Sequence, residues 1–268
     1  MRSRLAVVLV CVACLTLGAC APAGGGSAGP ATVDDALASL QGLAFREFLD
    51  ASYEQFLLRN PEAVTSLGLS ATFGVRNDKL TDVSPEFILG NYALYGGVLD
   101  LLHTYDRAAL SNEDQLSYDI YEWYLDDWVR GEPYAFHDYS ISGIPLSGWS
   151  VDATLVTLFT DDHPLVTKDD LDDYVTRLSL VDAKMTQLIA ALVYREERGI
   201  LPAQFTVDMA TSRLRGYLGV SGSARVKVSQ VRVEGTILWT SFRDRLAAMQ
   251  GISDEERGNA LAAVREGT

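Results

Sequence analysis

From about Val33 onward, apolar residues recur at steps of three and four, and that period constrains the fold more than anything else in the chain. An α-helix turns once every 3.6 residues, so this spacing gathers apolar side chains on one face, whereas a half-buried strand needs strict alternation. In FREFLDASYEQFLLRN the stripe is Phe45, Phe48, Leu49, Ser52 or Tyr53, and Phe56. Punctuation agrees with the period. In NPEAVTSLGL, Asn60 suits the N-cap, Pro61 the first helical position where no N–H is needed, and Gly68 a left-handed stop. Ser84 and Pro85 repeat the device, ahead of an apolar face of Phe87, Tyr92, Leu94, Tyr95, Val98, Leu99 and Leu102. LSNEDQLSYDIYEWYLDDWVRG opens on Ser111 and Asp114, closes at Gly131, and is expected to pack Leu116, Ile120, Trp123, Tyr124 and Trp128 inward.

Periodicity fails between Glu132 and His163, which reads as a structured crossing segment with a short helix at VDATLVTLFT. A long helical pattern then runs from Thr167 to Gly199 through Leu171, Tyr174, Val175, Leu178, Val181, Met185, Leu188, Ile189 and Leu192. AQFTVDMATSRLRGYLG and LWTSFRDRLAAMQG are further helices, and Ser253 with Glu256 forms a capping box for a last one. The fold class is therefore all-α or predominantly α. Val226, Val228, Val231 and Val233 alternate, which leaves one short strand or hairpin open near residues 225–234, against an extended connection.

The first residues are a separate object. Arg2 and Arg4 precede the apolar run LAVVLVCVACLTLGA, as in a secretory signal, and LGAC resembles the box at which bacterial lipoproteins are cleaved and lipidated. The division expected is a lipoprotein signal peptide over 1–19, a flexible tether over 20–32 rich in glycine and small residues, and a helical domain over 33–268. Cys20 would carry the lipid and hold the protein on the membrane, exported to the outer membrane and periplasm or the cell surface. Ala21 in place of an aspartate resembles the outer-membrane sorting pattern. Cys11 and Cys14 fall in the discarded signal, so no intramolecular disulfide is available and core packing must supply stability.

The 268 residues carry a formal net charge of −14 and no basic cluster, which argues against nucleic acid as a partner because such surfaces need a positive face. The most suggestive chemistry is TDDHPLVTKDDLDDYVTRL, with six aspartates between positions 161 and 173 beside His163. A calcium loop needs alternating oxygen ligands, a glycine at the turn and a distal acid, and this stretch has neither the spacing nor the glycine. Thr167 as N-cap with Asp170 three residues on explains the acids better, since carboxylates are favoured at a helix N-terminus. His103, His137 and His163 are isolated in sequence, unlike the paired histidines of a helical zinc site. Acid pairs such as Asp126 with Asp127, or Asp161 with Asp162, are common in so acidic a chain and nominate no glycosidase pair. There is no H-E-x-x-H, no phosphate loop and no G-x-S-x-G elbow.

The order of FREFLDASYEQFLLRNPEAVTSLGL, LSNEDQLSYDIYEWYL, IPLSG, HPLVTKDDLDDYVTRL and ERGILP resembles the N-terminal half of the bacterial domain-of-unknown-function family 885, from about Leu43 to Glu266. That resemblance implies a mostly helical fold, often in a secreted lipoprotein, of a kind similar to zinc metallopeptidases, with an H-E-x-x-P-G-H-type motif in a C-terminal half. The chain reaches Thr268 without such a motif, so no catalytic, cofactor-binding or metal-ligating residue carries over; zinc and a peptide substrate are expected only with the C-terminal half. Three readings follow. The chain is the N-terminal portion of a truncated metallopeptidase-like lipoprotein, inactive alone. It is a stand-alone helical binding or scaffold lipoprotein with Tyr134 to Trp149 as its recognition surface. Least favoured, it is a hydrolase using Asp161, Asp162 and His163.

Overall fold

The computed structural model describes residues 30–138, 150–220 and 231–267. The tether before Pro30, Cys20, the crossing segment from 139 to 149 and most of the candidate strand lie outside them. Among the described residues every regular element is helical, and no helix is long and apolar enough to cross a membrane. Val231 and Arg232 carry no regular structure and Val233–Gly235 form a single 3-10 turn, so no strand forms on the described side of 225–234.

Four helices build the first half: α1 (Val33–Leu40), α2 (Phe45–Leu58), α4 (Pro85–Leu102) and α5 (Asn112–Gly131), with the short α3 (Pro61–Ser66) between α2 and α4. Caps start them as the residues require. The Asn60 side chain accepts from Ala63 N, Ser84 from Phe87 N and Ser111 from Asp114 N, each satisfying an amide the first turn leaves open. Ala36 and Leu40 of α1, Phe45 and Phe48 of α2, Leu94, Val98 and Leu102 of α4, and Tyr118 and Leu125 of α5 close into one buried core.

The second half is built on α6 (Val151–Thr157), a π-helical turn at Leu158–Asp162, α7 (Lys168–Leu178), α8 (Val181–Glu196), α9 (Gln204–Tyr217), α10 (Ile237–Ala248) and α11 (Asp254–Gly267). Its core gathers Leu155, Phe159, Leu171, Tyr174, Leu178, Phe242, Leu246, Met249, Ala260 and Val264. Thr167 and Asp170 form the capping box on α7, and Ser253 and Glu256 exchange the same bonds ahead of α11. Gly199, with φ +71°, ends the turn after α8, and Ile200 N folds back to Arg195 O.

Two expectations are corrected. The long pattern from Thr167 to Gly199 is two helices: the chain turns at Ser179 and Leu180, which lets Leu178 enter the second core while Lys184 points toward the segment before α4. On α5 the inward face is Tyr118, Tyr121 and Leu125, not the apolar set named from the period. Leu116, Ile120 and Trp123 are 60%, 58% and 65% exposed, and Tyr124 and Trp128 are also open at the surface. Apolar residues surround this helix, so periodicity offers two stripes, and packing against α4 selects one.

Candidate functional site

Between the two cores runs a seam of buried polar groups, held by α3, the segment from Leu67 to Ser84, α7 and α8. Glu62, in the first turn of α3, accepts from Thr81 N at 3.0 Å and pairs with Lys184, whose ammonium also donates to Thr81 O at 3.0 Å. Asp173 accepts from Arg76 Nε at 2.7 Å and from Asn77 N at 3.0 Å. Arg177, fully buried, donates from Nε to Lys79 O, from Nη2 to Thr65 Oγ1 and from Nη1 to His163 Nδ1. Burial pushes its guanidinium down to about 10, against the opposing pull of Glu62, Asp173 and Asp78, so it stays charged at neutral pH.

His163 completes the seam. A guanidinium can only donate, so Nδ1 accepts, and Nε2 carries the proton that goes to Asp170 O at 2.9 Å. Burial, with lesser help from Arg177 and Arg245, holds the imidazole down at about 4. It is a neutral, fully engaged ring with no lone pair left to offer a metal.

The remaining members of the acidic stretch are dispersed. Asp161 takes the Thr160 hydroxyl, Asp162 the Ser66 hydroxyl, and Asp172 pairs with Lys168. His103 bonds Glu122 on the surface between α4 and α5, and His137 stands edge-on to Tyr134. Among the described residues no three His, Cys, Asp or Glu side chains gather as a metal site would require. The donors among the described residues therefore do not fit zinc, and no reaction step can be drawn through one. The hydrolase built on Asp161, Asp162 and His163 fails on the same geometry, because the three side chains serve three separate partners.

Beside the seam lies a cavity of about 280 Å³. Leu58, Val64, Val75, Leu80 and Phe87 give it an apolar wall, and Arg59, Arg76 and Lys79 stand on its lining with Asp82. None of the four charged residues was singled out from the sequence. Arg59 sits one residue before a helix cap and Lys79 in an aperiodic loop, and only folding brings them together.

The second feature is the aromatic surface of α5. Phe56 stacks on Tyr95 at 4.4 Å, Tyr95 on Trp128 at 4.7 Å, and Tyr121 on Tyr124 at 6.3 Å between ring centres. Burial raises the Tyr95 hydroxyl well above its ordinary value and Tyr121 up to about 12, so both stay protonated. Outside this ladder, Leu116, Ile120 and Trp123, at helical steps of four and three, form a solvent-facing apolar stripe.

A search of curated proteins finds no match. Among solved structures, the chain is similar to "the putative lipoprotein from Colwellia psychrerythraea", with a TM-score of 0.53 and 18% identity over 88% of this chain. That likeness carries the fold. This chain spans only 38% of that protein's length. The profile of the family described as bacterial protein of unknown function (DUF885) matches residues 61–267, so the helices, the seam and the aromatic face are those of a chain that belongs to the DUF885 family.

Proposed function

We propose that the chain is the helical N-terminal part of an exported, lipid-anchored, metallopeptidase-like protein, in which it supplies a wall and a docking face while the catalytic atoms come from further protein. The observation that carries this is the stripe of Leu116, Ile120 and Trp123. A large apolar patch in contact with water is costly and in folded proteins usually marks a surface that another element covers. The similar Colwellia structure, with well over twice this chain's share of fold, has more protein available for that role. The placement of the three histidines agrees, since His103, His137 and His163 stand at separate places with separate partners and no two of them share a site.

Export and anchoring through Cys20 rest on LGAC and on the name of the similar structure. They are tested by expressing the chain in a lipoprotein-processing bacterium and measuring its mass. Cleavage before Cys20 with added diacylglycerol and acyl mass, lost in Cys20→Ser, supports the reading; an unmodified Cys20 overturns it.

The docking role is tested by sequencing the genomic DNA beyond codon 268 for about 1 kb, the span that a further helical half would need. A reading frame encoding a histidine–glutamate zinc motif supports it. Closed or unrelated frames favour the second reading, a stand-alone binding or scaffold lipoprotein. The exposed ring of Tyr134, in the 3-10 turn that follows α5, is the observation on that side.

A further inference from the structure

The cavity between α2, α3, the segment before α4 and the start of α4 has a charge that runs against the rest of the molecule. The chain is strongly acidic, yet the cavity lining bears Arg59, Arg76 and Lys79 against one acid, Asp82. Arg76 is answered from outside the lining by Asp173. Neither Arg59 nor Lys79 has a carboxylate within ion-pair distance among the described residues.

Arg59 is the more telling of the two, at 8% exposure. It spends Nε on Asn91 Oδ1 at 2.5 Å and Nη1 on Ala31 O at 3.1 Å, and its plane lies 4.2 Å from the centre of the Phe87 ring. These contacts are all to neutral groups. Burial lowers its pKa, with only partial relief from Asp82. A cation withdrawn from water without an anion is expensive, and the cost is recovered when a ligand brings the anion. Lys79 is held in place through its backbone, whose carbonyl accepts from Arg177 Nε at 2.8 Å, so the seam fixes where its side chain starts.

On the same lining, Leu58, Val64, Val75 and Leu80 present aliphatic surface. A cavity of about 280 Å³ suits a small molecule rather than a polymer. An inorganic anion would leave the aliphatic wall uncovered, and an apolar molecule without charge would leave Arg59 unanswered. We propose that this cavity is a binding site for a small monocarboxylate with an apolar body, its carboxylate between Arg59 and Lys79 and its hydrocarbon against Val64, Leu80 and Phe87. The chemistry is shared by a short free acyl acid and by the carboxy-terminus of a peptide ending in an aliphatic residue. The site stands independently of the peptidase-like reading, because it uses no metal and no residue from outside this chain.

The test is calorimetric titration of the full chain with hexanoate, N-acetyl-leucine and N-acetyl-leucinamide at neutral pH. At least one of the two acids is expected to saturate below about 10 mM, and the amide to bind about tenfold or more weakly than N-acetyl-leucine if that acid binds. The acid that binds more tightly identifies the source, acyl chain or peptide terminus. Lys79→Met, at a half-buried loop position that can lose its charge without unfolding the chain, is expected to weaken the acid by about tenfold. Lys168→Met, at the start of α7 and outside the cavity lining, is the control and should leave it unchanged. Binding by neither acid, equal binding of N-acetyl-leucine and its amide, or an unchanged affinity in folded Lys79→Met overturns the proposal.

Discussion

His163 Nδ1 lies 3.1 Å from Arg177 Nη1 in the buried seam between the two cores. Because the guanidinium donates, this geometry exists only while the imidazole is neutral. A proton on Nδ1 would set two N–H groups and two positive charges against each other, with Arg245 also bonded to the His163 carbonyl.

Acid should therefore unfold the protein partly through this pair. The folded pKa, about 4, lies below the ordinary histidine value of about 6.5, so the unfolded chain binds the extra proton between those pH values. The stabilisation is present above the unfolded pKa, is lost as pH falls through that window, and amounts to on the order of 3 kcal/mol. Denaturant titrations at steps from pH 7 to 4 should show this slope, and His163→Gln should flatten it while being less stable at pH 7. An equally steep slope in the variant would remove His163 from the explanation.

Lys184 and Glu62, paired in the same seam, should be asymmetric in their mutational cost. Lys184→Met leaves a half-buried carboxylate with only Thr81 N and is expected to cost about 3 kcal/mol, with Glu62→Leu added in the double variant restoring much of it. Chemical denaturation of the single and double variants decides this. A double variant as unstable as Lys184→Met alone would mean that the pair is not the reason for the loss.

Tyr174 is fully buried, and its hydroxyl has no hydrogen-bond partner among the described residues, although the ring packs edge-on to Phe159 and His163 and stacks on Phe242. Tyr174→Phe keeps the ring and removes the unsatisfied group, so it should be neutral or stabilising by up to about 1 kcal/mol. A loss of comparable size in thermal denaturation would show that the hydroxyl is bonded.

At Gly219 the backbone has φ +65°, and a Cβ there would stand 2.3 Å from the Gly235 carbonyl oxygen. Gly199 has φ +71° and open space around its Cβ position. Gly199→Ala should cost about 1 kcal/mol for the conformation alone, and Gly219→Ala clearly more, because a backbone atom cannot turn aside as a side chain can. Equal melting temperatures for the two variants would contradict that close approach.

Local signals were the legible part of this molecule. Asn60 with Pro61, Ser84 with Pro85, Thr167 with Asp170 and Ser253 with Glu256 act within one turn, so their roles follow from neighbours in the sequence. The acidic stretch after Thr167 resolved into caps and pairs for the same reason. The seam was not legible, since Lys184 meets Glu62 across 122 residues and Arg177 meets Thr65 across 112. Nor was the orientation of α5, whose two apolar stripes are equivalent until α4 covers one. The cation-lined cavity combines both difficulties: Arg59 and Lys79 belong to different segments, and no local pattern links them.

The most direct test of the docking role is a photo-crosslinking residue placed at Trp123, in the protein expressed in bacterial cells. The expected result is a specific crosslink to further protein of the same family fold, in the same chain or a separate one, that disappears when Ile120→Glu disrupts the stripe. A Trp123 position that gives no crosslink and stays open to a water-soluble quencher would contradict the claim that this helix face is built to be covered.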